Sequence, residues 1–521
     1  MATSYLTPGV YVEELPSAGR PIAGVGTSVA AFVGFAEMGP RNKATLVTNW
    51  SQFKQKFGDI QKDYYLAHSV YGYFNNGGTI AYVVNISSPL APKATVPSGA
   101  DAAVSSLEVH AIREGLKTKD REGLPLKDIS VDVTDGPDAD AAPTAIVDPD
   151  GPPMFGIQVK RGDTVLEKFS NLVMDRESER HVETIVNGAS QYIWLEVTNA
   201  KAPLAPSPAA GSFNVVKPDP ATLQLETSAI QGDVRSRSGI AGLEAISEVT
   251  IVCAPDLMSA YQRGMIAEET LTGLQKAMVE HCELMQNRVA VLDAPPGLDP
   301  QEVKDWREKT LMVDSSYAAL YYPWIRVMGP DGKLMSVPPS GHMAGVWART
   351  DGTRGVHKAP ANEVVRGAVQ VAQDVTAGEQ GLLNPKGINC IRSFGAMGIR
   401  AWGARTLAES DKSWQYINVR RFFNFVEASI QGGTNWAVFE PNDKSLWQRL
   451  KRDVGSFLML QYRSGALFGD TPDQAFYVKC DAETNPPDVI DAGMVVTEIG
   501  MCPVKPAEFV IFRVAQLATG G

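Results

Sequence analysis

At 521 residues the chain is too long for one hydrophobic core, and at roughly 150 residues per domain it predicts about three or four domains. Hydrophobic residues make up 44% and charged residues 21%, which is ordinary for a globular protein. A net charge of −11 argues against nucleic acid as the main partner, because neutralising phosphates takes clustered Lys and Arg.

The opening MATSYLTPGVYVEELP has no basic region followed by an apolar stretch, so no signal peptide is expected. Runs of about 18 apolar residues are absent, so a membrane-crossing helix is not expected either. The five cysteines are far apart and form no CxxC pair, which reads as reduced, buried thiols.

In chain order, TPGVYVEELPS near the start is a short strand beside a Pro-Gly break. Residues 21–89 read as a small α/β unit: strand SVAAFVGFAE, a helix opening at NWSQFKQKFGD, a helix LAHSVYGYFNNGG ending on its glycines, and strand TIAYVVNIS. From 90 to 240 the sequence is rich in Pro, Asp, Ala and Gly. Its short β-patterned runs (SLEVHAI, ISVDVTD, FGIQVKRGDTVLEKF, YIWLEV) predict a small all-β insertion.

The α/β pattern resumes over 241–380. Strand SEVTIVCAPD precedes a helix with Leu271, Leu274, Met278, Cys282 and Met285 on one face, and RVAVLDAPPGLD, PQEVKDWREKTLM and YAALYYPWIRV follow. Apolar strands alternating with amphipathic helices predict a mostly parallel sheet, here split by the insertion. Residues 381–506 read as a separate α+β domain. Its strand candidates are NCIRSFG, GIRAWGARTL, NWAVFE, AFYVKCD and MVVTEIGMCPV, and its helices WQYINVRRFFNFVEASI and NDKSLWQRLKRDVGSFLML. The last strong β pattern, EFVIFRVAQL, falls in 507–521 with only ATGG after it, and a terminus frays unless something ties it down.

Candidate catalytic residues are sparse. Asp256 and Asp293 follow apolar strands, where active sites of open α/β sheets gather, but both also fit turn or N-cap positions. Ser340, His342 and Asp351 lie close in PPSGHMAGVWARTDGTRG and offer a nucleophile, a base and an orienting acid, without the Gly-x-Ser-x-Gly elbow. No His pair has zinc-ligand spacing on a helix. GPDGKLMS lacks the spacing of a phosphate loop, and Gly24 and Gly26 make an incomplete dinucleotide pattern. Arg161-Gly162-Asp163 falls where a hairpin turn is needed. On the helix over 442–462 an apolar stripe of Leu446, Leu450, Val454, Phe457 and Leu458 backs onto Lys444, Arg449, Lys451 and Arg452, either a solvated face or a contact for an acidic partner.

Several segments, in order, resemble the tail sheath proteins of contractile injection systems: TPGVYVEELPS, PPSGHMAGVWARTDGTRGVHKAPAN, LLNPKGINCIRSF, YINVRRFFNFVEASI, NWAVFEPNDKSLWQRLKRDV, SGALFGDTPDQAFYVKCD and PVKPAEFVIFRV. The likeness covers roughly residues 1–90 and 240–521, leaving the insertion unmatched. It implies a structural subunit, not an enzyme, without a cofactor, that polymerises helically around an inner tube and contracts to drive that tube through a target envelope. Its partners would be further copies, the inner tube protein, and baseplate and terminal cap proteins, with no nucleic acid and no insertion into membrane. It would assemble in a bacterial cytoplasm as part of a phage tail or tail-like particle, some of which are released.

The resemblance also implies arms that add as strands to neighbouring copies: residues 1–20 with Val10, Tyr11, Val12 and Glu13, and residues 507–521 with Phe509, Val510, Ile511, Phe512, Arg513 and Val514. An exposed edge strand is an association template, and strand addition draws affinity from main-chain hydrogen bonds. The basic face of Lys444, Arg449, Lys451 and Arg452 is then the expected tube contact, while the apolar loop Gly395-Ala396-Met397-Gly398 fits such a contact less well. A hydrolase using Ser340, His342 and Asp351, or an adhesin or surface-array protein with the insertion as binder, remain the alternatives. A two-chain sheath of the type VI kind fits less well, because both arms and the body lie on one chain.

Overall fold

The computed structural model of the protein describes residues 21–36, 39–62, 64–86, 93–111, 129–136, 152–198, 206–216, 225 and 227–513. The described residues divide into two units, one built of 28–349 with 361–409 and the other of 21–27, 350–360 and 410–513.

The larger unit is organised by a nine-stranded sheet. Its order is Glu363–Val364, Ile399–Ala401, Ile388–Ser393, Ala318–Tyr322, Val289–Asp293, Ile251–Cys253, Val29–Phe35, Ile80–Ile86 and Thr45–Val47. The six strands from Ile388–Ser393 to Ile80–Ile86 pair in parallel, and antiparallel strands close each edge. Val29–Phe35, Val289–Asp293 and Ala318–Tyr322 are buried along their whole length, as parallel strands covered on both faces must be. Val29–Phe35 and Ile80–Ile86 lie beside Ile251–Cys253, so the sheet is split by the insertion as the alternating pattern predicts.

The helix Glu268–Met285 packs Leu271, Leu274, Met278 and Cys282 into the core below the sheet strands, on the face its periodicity marks. Leu66–Asn76 ends on Gly77 in the left-handed region at φ +118, with the Gly78 N–H bonded back to Tyr73, the cap those two glycines predict.

The insertion has a hydrophobic core of its own. A four-stranded antiparallel sheet (Gly211–Asn214, Ile129–Asp135, Phe155–Arg161, Thr164–Leu172) and a three-stranded one (Lys93–Pro97, Ser105–Ala111, Ile193–Val197) supply Val131, Ile157 and Val159, and Val96, Leu107 and Leu195. Arg161 pairs with Thr164 across Gly162, whose φ is +56, so the Arg-Gly-Asp tripeptide is a hairpin turn. The insertion is not all β: Val182–Ala189 is a helix that buries Val182 and Val186. Val182, Ile185, Val186 and Ala189 span only about two turns, too short a run to mark a helix among β-patterned segments.

The expected boundary at 381 also shifts. Ile388–Ser393 pairs with Ala318–Tyr322, and Ile399–Ala401 pairs with Ile388–Ser393, so 381–409 belong to the large sheet. Strand pairing decides membership here, and pairing partners are not visible in local composition.

In the smaller unit two helices, Ile417–Thr434 and Lys444–Arg463, pack on a hairpin of Phe476–Lys479 and Glu498–Met501. NWAVFE, expected as a strand, instead makes a single 3-10 turn, Asn435–Ala437, between them. The chain there must pass from one helix to the Asp443 cap of the next, which accepts the Leu446 N–H at 2.8 Å.

Asp256 ties the larger unit together. It is buried, and its carboxylate accepts the N–H groups of Phe35 (2.7 Å), Leu66 (3.2 Å) and Tyr65, joining the end of a central strand to the start of a helix. Burial pushes its carboxyl up to about 7, opposed by those three N–H groups. Gly34 leaves the room, since a Cβ there would stand 2.5 Å from an Asp256 oxygen. Asp256→Ala orphans three N–H groups and is expected to cost about 3 kcal/mol or more, read from the midpoint of urea unfolding; a loss under about 1 kcal/mol would contradict this role.

Candidate assembly interface

The residues that suggested chemistry are dispersed. Ser340 is fully buried, and its hydroxyl and N–H both donate to Asp293, at 2.6 and 2.8 Å. Burial pushes Asp293 up to about 7, against the pull of those two bonds. His342 is buried against Gly72, where a Cβ would come within 2.4 Å of its ring, and burial with neighbouring His68 pushes it down to about 3. Asp351 is occupied by Arg421. Ser340, His342 and Asp351 are therefore no triad. Ser340 serves a buried carboxylate, and Asp351 serves an ion pair.

That ion pair is central to the smaller unit. The Arg421 guanidinium donates to both Asp351 oxygens, at 2.9 and 2.5 Å, and to the Thr27 carbonyl at 2.8 Å. The Thr27 hydroxyl closes the ring onto Asp351 at 2.6 Å. Three separate stretches of chain, 21–27, 350–360 and 410–513, are thus joined at one buried cluster.

The same helix, Ile417–Thr434, anchors the roots of both chain ends. On the N-terminal side Ile22 is buried against Gly433, Gly24 lies against the Phe425 ring, and the Val25 N–H donates to Ser429 at 3.1 Å. On the C-terminal side the Asn418 side-chain amide donates to the Val504 carbonyl at 3.1 Å, and the Val504 N–H donates to Ala466 at 3.1 Å.

Past Glu508 the side chains of the smaller unit become exposed. Phe509, Val510, Ile511 and Phe512 are 74%, 71%, 78% and 86% exposed and lie in no strand. Four consecutive exposed apolar residues, with no backbone hydrogen bond among the described residues, are a sequence of strand-forming type left in irregular chain. Val10, Tyr11, Val12, Glu13 and Val514 lie outside the described residues.

The same unit carries a two-stranded sheet. The Phe476–Lys479 and Glu498–Met501 hairpin turns Phe476, Val478, Ile499 and Met501 onto the helical core. On its other face Tyr477 crosses Gly500, where a Cβ would fall 2.1 Å from the ring, and bonds Glu498 at 2.7 Å. Among the described residues the sheet has only these two strands, and its second strand continues into a bridge between Pro503 and Leu467. A two-stranded sheet is marginal in water and gains from a third strand. Sequence reading found both strands; that among the described residues they pair only with each other is visible in the fold alone.

The helix Lys444–Arg463 buries Leu446, Trp447, Leu450, Val454, Phe457 and Leu458, the stripe its periodicity predicts. Lys444, Lys451 and Arg452 are exposed on the other side. Arg449 differs: it is half-buried, bonds Glu440 at 2.9 Å and lies 4.9 Å over the Trp436 ring. Arg452 reaches its neighbour Asp453 at 3.1 Å. In the larger unit Gly395–Met397 form an exposed turn with Met397 at its tip.

Known proteins match this chain in sequence and in fold. The model of the phage tail sheath protein central domain matches residues 240–407, and that of the phage tail sheath C-terminal domain matches 409–516, together more than half of the chain. The junction between them falls where the two units meet in sequence, at 409 and 410. The tail sheath protein of Salmonella phage ViI is 27% identical over 249 residues, 47% of this chain and 38% of that protein, so the chain spans well under half of that relative. Two cryo-EM structures share the fold. The helical sheath of the anti-feeding prophage in its contracted state has TM-score 0.58 and 22% identity, covering 98% of this chain and 100% of that one. The sheath complex of an extracellular contractile injection system in its contracted state has TM-score 0.54 and 23% identity, covering 99% and 98%.

Removal of the central carboxylate is the sharpest test of the smaller unit. Asp351→Ala leaves Arg421 buried and unpaired, and is expected to cost about 3–5 kcal/mol by urea unfolding monitored on the unit's own tryptophans; an unchanged midpoint would contradict it.

Proposed function

The chain belongs to the phage tail sheath protein family, and from that premise we propose that it is the repeating subunit of a contractile sheath. The observation that carries this reading is the exposed apolar segment Phe509–Arg513 on the unit that also bears the open-edged hairpin of Phe476–Lys479 and Glu498–Met501. In an assembled particle the C-terminal segment of one copy adds as a strand to the hairpin of a neighbour, and the segment with Val10–Glu13 does the same elsewhere in the lattice.

The energetics suit a lattice. About five main-chain bonds at about 1 kcal/mol each, with about 2 kcal/mol for each large side chain buried, give a modest single contact. Repetition makes each link local to the others and so much stronger. Residues 21–27 and Val504 are fixed to the helix Ile417–Thr434, and the tethers in this reading are residues 1–20 and 507–521. Such tethers hold copies together while the subunit bodies rotate and slide as rigid pieces. The extended state is metastable, and contraction is driven by the interfaces that the subunit bodies form as they close on one another, with no nucleotide and no cofactor. Lys444, Lys451 and Arg452 face the inner tube in this reading, as a polar contact weak enough to release; Arg449, held by Glu440 and Trp436, supports that face from behind.

The partners are copies of the chain, an inner tube protein, and baseplate and cap proteins. The particle is a phage tail or a tail-like injection device, assembled in the bacterial cytoplasm.

Electron microscopy of the purified chain tests the central step. The full chain is expected to form tubes, and a variant ending at residue 507, which keeps every described bond of Val504, is expected to stay dispersed. Tubes from the truncated chain would overturn the role given to the C-terminal strand.

A further inference from the structure

A second constellation lies in the insertion. Glu108 and His110 are two residues apart on Ser105–Ala111 and share a face, and Glu196 of Ile193–Val197 is paired directly opposite Glu108. His110 Nε2 stands 3.6 Å from Glu108 Oε2 and 3.7 Å from Glu196 Oε2, and one ligand atom from each residue lies within 4.8 Å of the others. Those separations are too long for hydrogen bonds. His110 is only 5% exposed, and neither ring nitrogen makes a hydrogen bond among the described residues. A buried imidazole at ion-pair distance from two carboxylates, with neither ring nitrogen within hydrogen-bond range, lacks the close partner a buried polar group normally has.

The spacing suggests what meets it. Two ligands bonded at about 2.0–2.2 Å to one tetrahedral ion stand about 3.3–3.6 Å apart, close to both His110 distances. We infer that Glu108, His110 and Glu196 bind a divalent transition-metal ion of the zinc class.

The surroundings fit that reading. Lys93 takes the other Glu108 oxygen at 2.9 Å, leaving Oε2 for the ion and fixing the carboxylate's orientation. Arg41 lies 4.5 Å over the Trp194 ring and offsets part of the negative charge, and the same ring packs 5.5 Å from His110. Glu108 and Glu196 are 26% and 45% exposed, which gives the ion a way in and leaves a coordination position to water. The ion would pin two neighbouring strands next to Lys93–Pro97, where the insertion leaves the central sheet after Ile80–Ile86. It is therefore a structural staple for the insertion's root. The competing occupant is a proton, which would make His110 an imidazolium between two glutamates.

The test uses full-length, tag-free protein stripped with a chelator and dialysed against Zn²⁺, with metal content read by elemental analysis. Wild type is expected to retain about one ion per chain and to melt at a higher temperature with Zn²⁺ than without. Glu196→Gln and His110→Gln are expected to weaken retention at least about 10-fold. Circular dichroism of both variants checks that they fold, and Co²⁺ in place of Zn²⁺ gives a visible absorption band that reports imidazole and carboxylate coordination in the wild type alone. The inference is overturned if the stripped wild type takes up no ion, or if folded variants retain it equally. It is also overturned if His110 titrates as a glutamate-bound imidazolium whose pKa Zn²⁺ does not move.

Discussion

The Arg421–Asp351 pair is the interaction on which the assembly unit depends. Three stretches far apart in sequence must meet before that unit exists, and ordering them costs conformational entropy that local contacts alone do not return. A buried guanidinium donating to both carboxylate oxygens and to the Thr27 carbonyl satisfies charge and hydrogen bonding together, which is the condition under which burying ions is tolerable. The roots of both chain ends depend on this pair, because 21–27 and Val504 are positioned by the helix that carries Arg421.

Backbone satisfaction separates scaffold from connector. In the large sheet the long central strands are paired on both sides, and Asp256 accepts the N–H groups left where a strand ends and a helix begins. In the smaller unit, among the described residues, the sheet has only two strands and 509–513 lie in none. A protein that polymerises by adding strands needs such deficits, placed so that one copy's deficit matches its neighbour's.

Much of this was legible in the sequence. Apolar strands alternating with amphipathic helices gave the split parallel sheet, Gly77 and Gly78 the helix end, and Gly162 the hairpin turn. What stayed hidden depends on contacts between distant residues. The place of Ile388–Ser393 in the large sheet follows from its pairing with Ala318–Tyr322, which no local pattern encodes. Ser340, His342 and Asp351 looked like a triad because they are close in sequence, yet Ser340 turns to Asp293 and Asp351 to Arg421. Arg449 looked like part of a solvated basic face until Glu440 and Trp436 proved to hold it. The Glu108, His110 and Glu196 cluster joins two strands far apart in the chain, so no spacing rule could find it.

Hydrogen exchange at backbone amides, compared between assembled particles and dispersed chain, is the most direct measurement of strand addition. The account predicts that amides of 509–513 and of the hairpin Phe476–Lys479 and Glu498–Met501 become strongly protected together on assembly, while the buried strands of the large sheet change little. Amides of 509–513 that exchange as fast in the particle as in the free chain would contradict it.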